Sequence, residues 1–106
     1  MPRKQERTTV SVNIILEWSS GKREARISDI SLSGCFIECM TPINKGEVVS
    51  FKIKISEKEW IDLSGEIVTV FAGLGFGVRF FSLSENDKSV IEHLILMNNG
   101  NPWSSD

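Results

Sequence analysis

The sequence lacks any long apolar run. The longest one covers only residues 94–97, whereas a helix that crosses a bilayer needs about 20 predominantly apolar residues. Residues 1–9 contain no apolar run at all, so the N-terminus does not resemble a secretory signal peptide. These absences predict a cytoplasmic protein that is not inserted into a membrane.

Side chains that bind metals or act in catalysis are scarce as well. His93 is the one histidine, and Cys35 and Cys39 are the two cysteines, which leaves a zinc site unsupported. Four residues of a strand span about 13 Å, beyond the roughly 7 Å limit for a disulfide, so we expect two free, buried thiols. The sequence brings no serine, histidine and aspartate together for catalysis. We therefore expect no enzyme activity, no metal and no cofactor.

A strong positive charge is also missing, because 12 lysines and arginines face 14 acidic residues and the net charge is -2. Domains that bind nucleic acids are usually strongly basic, so neither DNA nor RNA is expected as a partner. Basic side chains are nevertheless concentrated near the N-terminus, where Arg3, Lys4 and Arg7 are balanced only by Glu6. This arm could meet an anion locally; the alternative is a solvated, frayed terminus.

Alternating apolar and polar residues predict six short strands. We place them at residues 8–18, 23–28, 35–40, 47–56, 60–71 and 76–80, with tight turns between them. A glycine within a strand often marks a bulge, which we expect at Gly65. Six short strands with tight turns favour a small closed barrel or a sandwich, and closure would hide the strand edges.

The pattern changes at Ser84, which resembles a helix N-cap followed by acidic residues in the first turn. Helical spacing then places four apolar side chains on one face: Val90, Ile91, Leu94 and Ile95. This C-terminal helix would plug one end of the barrel or pack on its side; the alternative is a helix that binds a partner. Residues 98–106 are expected to form a polar tail, in which the role of Trp103 stays open.

The sharpest local motif lies between the predicted second and third strands and reads Asp29-x-Ser31-x-x-Gly34. Aspartate and serine side chains accept hydrogen bonds from nearby backbone N–H groups, and glycine allows a left-handed or closely approached backbone. Such a stiff turn presents a carboxylate, a hydroxyl and backbone amides together. A carboxylate suits the N–H donors on a guanine edge; the alternative is a plain strand-to-strand turn.

This turn follows an Arg3-x-x-x-Arg7 motif, and the two motifs together resemble the paired signature of the PilZ family. The family consists of small bacterial β-barrels, many of which bind the second messenger cyclic di-GMP, and the resemblance runs from Arg3 to about Met97. It implies an all-β fold with one helix, namely a six-stranded antiparallel β-barrel plus a C-terminal α-helix. The domain would cover residues 9–97, preceded by a flexible basic arm at residues 1–8.

The resemblance also implies roles for individual residues. Arg3 and Arg7 would contact the phosphates and guanine bases of cyclic di-GMP, because a planar guanidinium grips phosphate or guanine in two parallel bonds. Asp29 and Ser31 would contact a guanine, and Gly34 would keep the turn tight.

The implied function is that of a receptor that signals to a downstream protein, which the sequence does not identify. The basic arm, with Lys4 as a further candidate phosphate contact, would become ordered on binding and so change the surface. One alternative is a PilZ-fold adaptor that binds proteins but no nucleotide. Another is an oligonucleotide-binding barrel, which usually carries basic and aromatic residues along its strands; here Lys52 and Lys54 face outward, but no aromatic residue alternates with them.

Overall fold

Six strands and one helix make up the fold in residues 7–54 and 57–98, which the computed structural model describes. The strands are β1 (Thr8–Trp18), β2 (Gly21–Ile30), β3 (Gly34–Glu38), β4 (Val48–Lys54), β5 (Trp60–Phe71) and β6 (Gly75–Phe80). The helix, α1, spans Glu85–Asn98. The predicted succession of strands followed by one C-terminal helix is confirmed.

The strands form a closed antiparallel barrel in the order β1-β2-β3-β6-β5-β4. Strand β4 pairs again with β1, through pairs such as Ile14 with Ile53 and Glu17 with Ser50. Each of the six described strands therefore has a neighbour on both sides, which protects the strand edges. The barrel prediction is confirmed and the sandwich is excluded.

The barrel interior is filled by apolar side chains that alternate with outward-facing polar ones. In β4, Val49, Phe51 and Ile53 are buried, whereas Ser50 and Lys52 are exposed. Burying one such apolar side chain contributes about 1.5–3 kcal/mol. A shift of one residue in register would turn the whole row outward, so the alternation fixes which side chains of β4 face the core.

Helix α1 begins as predicted. The backbone amide of Asp87 donates a hydrogen bond to Oγ of Ser84 at 3.0 Å, which is the bond made by an N-cap serine. Ile91 is fully buried in the core cluster of the barrel, and Leu94 and Ile95 pack against that cluster. The helix packs against β1, so the predicted apolar face is the face that it buries.

The turn between β2 and β3 is shorter than the sequence suggests. Strand β2 continues to Ile30 and β3 begins at Gly34, which confines the turn to residues 31–33. Asp29 lies within β2, where it is the partner of Thr9 on β1 and of Phe36 on β3. Backbone pairing on both sides thus holds Asp29 more firmly than a loop position would.

The prediction of a bulge at Gly65 is wrong. The register of β5 against β6 shifts between Ile67 and Thr69, which places the extra residue at Val68. Gly65 serves close packing instead, because a Cβ atom there would lie 2.3 Å from the carbonyl oxygen of Arg79. A bulge re-aims the strand locally, and Val68 lines the groove described below.

Some predictions fall on residues 1–6, 55–56 and 99–106, which lie outside the described residues. They concern Arg3, Lys4, Trp103 and the end of the predicted fourth strand. Within the described parts of the chain, no helix has both the length and the apolar character needed to cross a membrane.

Candidate functional site

Ser31 organises the turn between β2 and β3. Its Oγ accepts hydrogen bonds from the backbone amides of Ser33 at 3.1 Å and Gly34 at 3.3 Å. The amide of Ser31 donates to the carbonyl oxygen of Gly34 at 2.8 Å. These hydrogen bonds hold the turn closed, and Ser31 is only 1% exposed. The prediction that Ser31 contacts a guanine stays a prediction.

Gly34 allows the turn to lie directly on β6. A Cβ atom at this position would come within 2.1 Å of the carbonyl oxygen of Val78, which is far inside van der Waals contact. Among the described glycines, positive φ angles occur at Gly46 and Gly73 and not at Gly34. Of the two roles that the sequence left open for this glycine, close backbone approach is therefore the correct one. The amide of Phe80 donates to the carbonyl oxygen of Ser33 at 2.9 Å and fastens the turn to β6.

The two halves of the sequence signature meet in space. Arg7 immediately precedes β1, and Asp29 lies near the end of the neighbouring strand β2. Nε of Arg7 donates to Oδ1 of Asp29 at 3.0 Å, although the residues are 22 positions apart. Both side chains remain partly exposed, so they can contact a ligand as well as each other.

Arg7, Asp29 and Gly34 line one groove on the outer surface of the barrel, with a volume of about 490 Å³. Its floor follows a row of cross-strand partners: Asp29, Phe36, Gly77 and Thr69. Because Gly77 has no side chain, the floor is open between Phe36 and Thr69. This volume suits a ligand that is much larger than a single ion.

Two aromatic side chains also line this groove. The rings of Phe36 and Phe71 lie 5.8 Å apart between centroids at an angle of 52°, which is a favourable geometry for an aromatic pair. Phe36 is partly buried and Phe71 is half exposed. Exposed aromatic faces are the surfaces on which nucleic-acid bases stack.

Arg79 is a groove residue that the sequence did not single out. It lies on β6 opposite Gly34 and lines the same groove as Arg7. Its Nη2 donates to Oε1 of Glu66 on β5 at 2.9 Å, and its side chain is 64% exposed. The alternation of buried Phe76, Val78 and Phe80 would have shown that Arg79 faces outward. Only the pairing of β6 with β3 brings it to the motif.

Neither Cys35 nor Cys39 lines this groove. Both cysteines are free; Cys35 is buried, whereas Cys39, expected to be buried, is only partly so. Burial raises the pKa of the Cys35 thiol, while the charge of Arg7 lowers it and that of Asp29 raises it. Within residues 7–54 and 57–98, no three His, Cys, Asp or Glu side chains group to hold a metal.

Comparison with known proteins identifies the family. The sequence profile of the PilZ domain matches residues 2–97. The chain belongs to the PilZ family. The resemblance inferred from the two motifs is thereby confirmed, and Arg7, Asp29 and Gly34 of those motifs line the groove of this PilZ chain. A search of curated proteins by sequence gives no match.

Solved PilZ structures have the same fold. The inhibitor of motility MotI/DgrA from Bacillus subtilis superimposes with a TM-score of 0.79 at 12% identity, over 96% of this chain and 53% of that one. The PilZ domain of YcgR with c-di-GMP, from Escherichia coli, gives 0.73 at 13% identity, over 93% and 92%. PlzA of Borreliella burgdorferi, in complex with c-di-GMP, gives 0.69 at 15% identity, over 89% and 41%.

These likenesses show the fold alone, because the identities are low. This PilZ chain spans about half the length of the MotI chain, 53%, but nearly all of the YcgR domain, 92%.

Proposed function

We propose that this PilZ domain is a receptor for cyclic di-GMP that signals to a partner protein and has no catalytic activity of its own. The observation that carries the proposal is the Arg7–Asp29 contact at the rim of a groove. It brings a cation of the type that binds phosphate next to a carboxylate of the type that binds guanine, so one ligand would contact both.

The groove offers chemistry for each part of cyclic di-GMP, which has two phosphates and two guanines. Asp29 would accept hydrogen bonds from one guanine edge, and Arg7 would grip a phosphate or the O6/N7 edge of a guanine. Arg79 lies on β6, on the other side of β3 from Asp29, and would bind a phosphate. The Phe36–Phe71 pair would face a guanine ring.

Other predicted contacts complete the proposal. A guanine contact by Ser31 would require its hydrogen bonds within the turn to open, because the side chain is almost fully buried and does not line the groove. Gly34 would keep the turn tight. Arg3 and Lys4 would add positive charge from the arm that precedes Arg7. Ordering of this arm on binding would change the surface that a partner meets.

The relatives support this proposal, because the structures of the YcgR PilZ domain and of PlzA are described with c-di-GMP. The first of the relatives above is described as an inhibitor of motility.

Calorimetric titration of cyclic di-GMP into the wild type, Arg7→Ala and Asp29→Ala tests the proposal. Losing one charged hydrogen-bond anchor costs roughly 1.5–3 kcal/mol, so each variant should bind about 10- to 100-fold more weakly. Arg26→Ala and Asp62→Ala are matched controls, since both residues are in exposed ion pairs that do not line the groove. GTP serves as the control ligand.

Saturable binding that Arg7→Ala and Asp29→Ala weaken, and that the two controls leave within twofold, supports the receptor. The absence of heat and of any change in melting temperature at high ligand concentration contradicts it.

An adaptor that binds only proteins is the second candidate, and exposed apolar side chains favour it. Met40, Phe71 and Leu74 are each at least half exposed, and Met40 and Phe71 line an uncharged groove that also includes Pro42 and Gly73. The titration above separates the candidates, because an adaptor without nucleotide affinity gives no saturable heat.

Nucleic-acid binding is less well supported. Lys54 does lie over an aromatic ring, with Nζ 5.9 Å from the centre of the Trp60 ring, a neighbour from β5 that the alternation within β4 did not reveal. Lys52, however, is paired with Asp62 at 2.8 Å. We therefore propose no DNA or RNA partner, which filter binding with single-stranded DNA and RNA would check.

A further inference from the structure

Three cross-strand partners lie in a row beside the groove: Gly34 on β3, Arg79 on β6 and Glu66 on β5. Arg79 is in the middle, and its Nη2 donates to Oε1 of Glu66 at 2.9 Å. Arg79 lines the groove, whereas Glu66 lies on the other side of Arg79 from Gly34. Glu66 is thus an acidic residue that does not line the groove but is paired with Arg79, a cation that does.

Among the residues that the structure describes, two arginines line the groove, and both are paired with carboxylates. Arg7 is paired with Asp29 at 3.0 Å and Arg79 with Glu66 at 2.9 Å. The two acids differ in what they offer a ligand. Asp29 lines the groove and can accept hydrogen bonds from a guanine, whereas Glu66 does not line the groove and competes with an anion for Arg79.

We propose that Glu66 restrains Arg79 and thereby sets the affinity and the salt dependence of the groove for a ligand with two phosphodiester charges. This inference rests on the proposed function. A phosphate that approaches Arg79 must share the guanidinium with Glu66 or displace it. The carboxylate also offsets the positive charge of Arg79, so the groove attracts an anion less than its two arginines would allow.

The expected effect is modest because the pair is exposed to solvent. Exposed ion pairs contribute up to about 1 kcal/mol, which corresponds to roughly fivefold in a dissociation constant. Glu66→Gln keeps the shape of the side chain but removes its charge. We expect this variant to bind cyclic di-GMP roughly three- to fivefold more tightly than the wild type in about 0.05 M salt, and the gain to fade in about 0.5 M salt.

Glu38→Gln is the matched control. Glu38 accepts hydrogen bonds from Arg26 across β2 and β3, with Nε at 3.2 Å, so the chemistry and the change in net charge are the same. Arg26 does not line the groove. Calorimetry of Glu38→Gln should therefore give a dissociation constant within twofold of the wild type.

A double-mutant cycle shows whether Glu66 acts through Arg79. Arg79→Ala should weaken binding, and Glu66→Gln should bring no gain once Arg79 is absent. Melting temperatures of all variants should stay close to that of the wild type, since both side chains of the pair are partly exposed.

The outcomes separate the two proposals. Wild-type binding with equal affinities for Glu66→Gln and Glu38→Gln overturns the role of Glu66 and leaves the receptor standing. A gain that persists in the Arg79→Ala background overturns it too, because general charge would then explain the effect. No binding by the wild type or by Glu66→Gln overturns both.

Discussion

Gly34 shows how a single hydrogen atom in place of a side chain shapes the site. The carbonyl oxygen of Val78 occupies the space where a Cβ atom would be, 2.1 Å away. The obstacle is backbone, which cannot turn aside as a flexible side chain can. Any substitution must therefore push the turn, including the neighbouring Ser33, away from β6.

We expect Gly34→Ala to lower the free energy of unfolding by about 1–3 kcal/mol, as overpacking does. Gly21→Ala is the matched control, because Gly21 has nothing within 4 Å of a Cβ atom. That variant should stay within about 0.5 kcal/mol of the wild type. Urea unfolding followed by circular dichroism measures both. Equal stabilities of the two variants would show that β6 can yield to the turn.

Cys35 gives a second prediction at the residue scale. The thiol of Cys35 is buried, and this burial also raises its pKa. In the folded protein, a thiol reagent at about pH 8 should therefore react only with Cys39. One thiol should react rapidly in the wild type and none in Cys39→Ser, and denaturant should release Cys35. Rapid reaction of Cys39→Ser would contradict the burial of Cys35.

The same pKa shift has a defined sign in stability. Below about pH 8.5, the thiol is protonated in both the folded and the unfolded chain, and its contribution is complete. Above that pH the unfolded chain loses the proton first, so the free energy of unfolding falls as the pH rises. This slope should be smaller in Cys35→Ala, measured by urea unfolding at several pH values.

Among the elements, helix α1 is attached to the barrel mainly through one face. Ile91 is fully buried, whereas Leu96 is 66% exposed. We expect Ile91→Ala to cost about 2–4 kcal/mol, because it leaves a cavity in the core. Leu96→Ala, the same kind of truncation on the same helix, should cost less than about 0.5 kcal/mol. Thermal melts of both variants measure the difference, and equal losses would mean that the helix buries another face.

Strands and helix were predictable because their signals are local. Alternation in β4 and the Ser84 cap depend only on neighbouring residues, and the structure confirms both. The bulge at Val68 was not predictable, because it arises from the register of β5 against β6. The glycine at position 65 correctly indicated a position that excludes a side chain, but the cause is close packing on β6 and not a bulge.

For the whole molecule, the sequence named three residues of the groove but not most of its lining. Arg7, Asp29 and Gly34 belong to recognisable motifs, and the fold brings them to one groove. Arg79 and Phe71 complete that groove from strands far along the chain. Their contribution depends on the strand order of the closed barrel, which no local pattern encodes.

The pairing of β3 with β6 determines when, during synthesis of the chain, the groove can be completed. This pairing joins distant parts of the chain, as does the β1–β4 pair that closes the barrel, and pairs of this kind close slowly during folding. A chain emerging from the ribosome would carry Arg7, Asp29 and Gly34 early, but it would lack Arg79 until β6 has been made. Only a finished barrel offers the complete groove, so a chain still under synthesis would lack the binding surface that we propose.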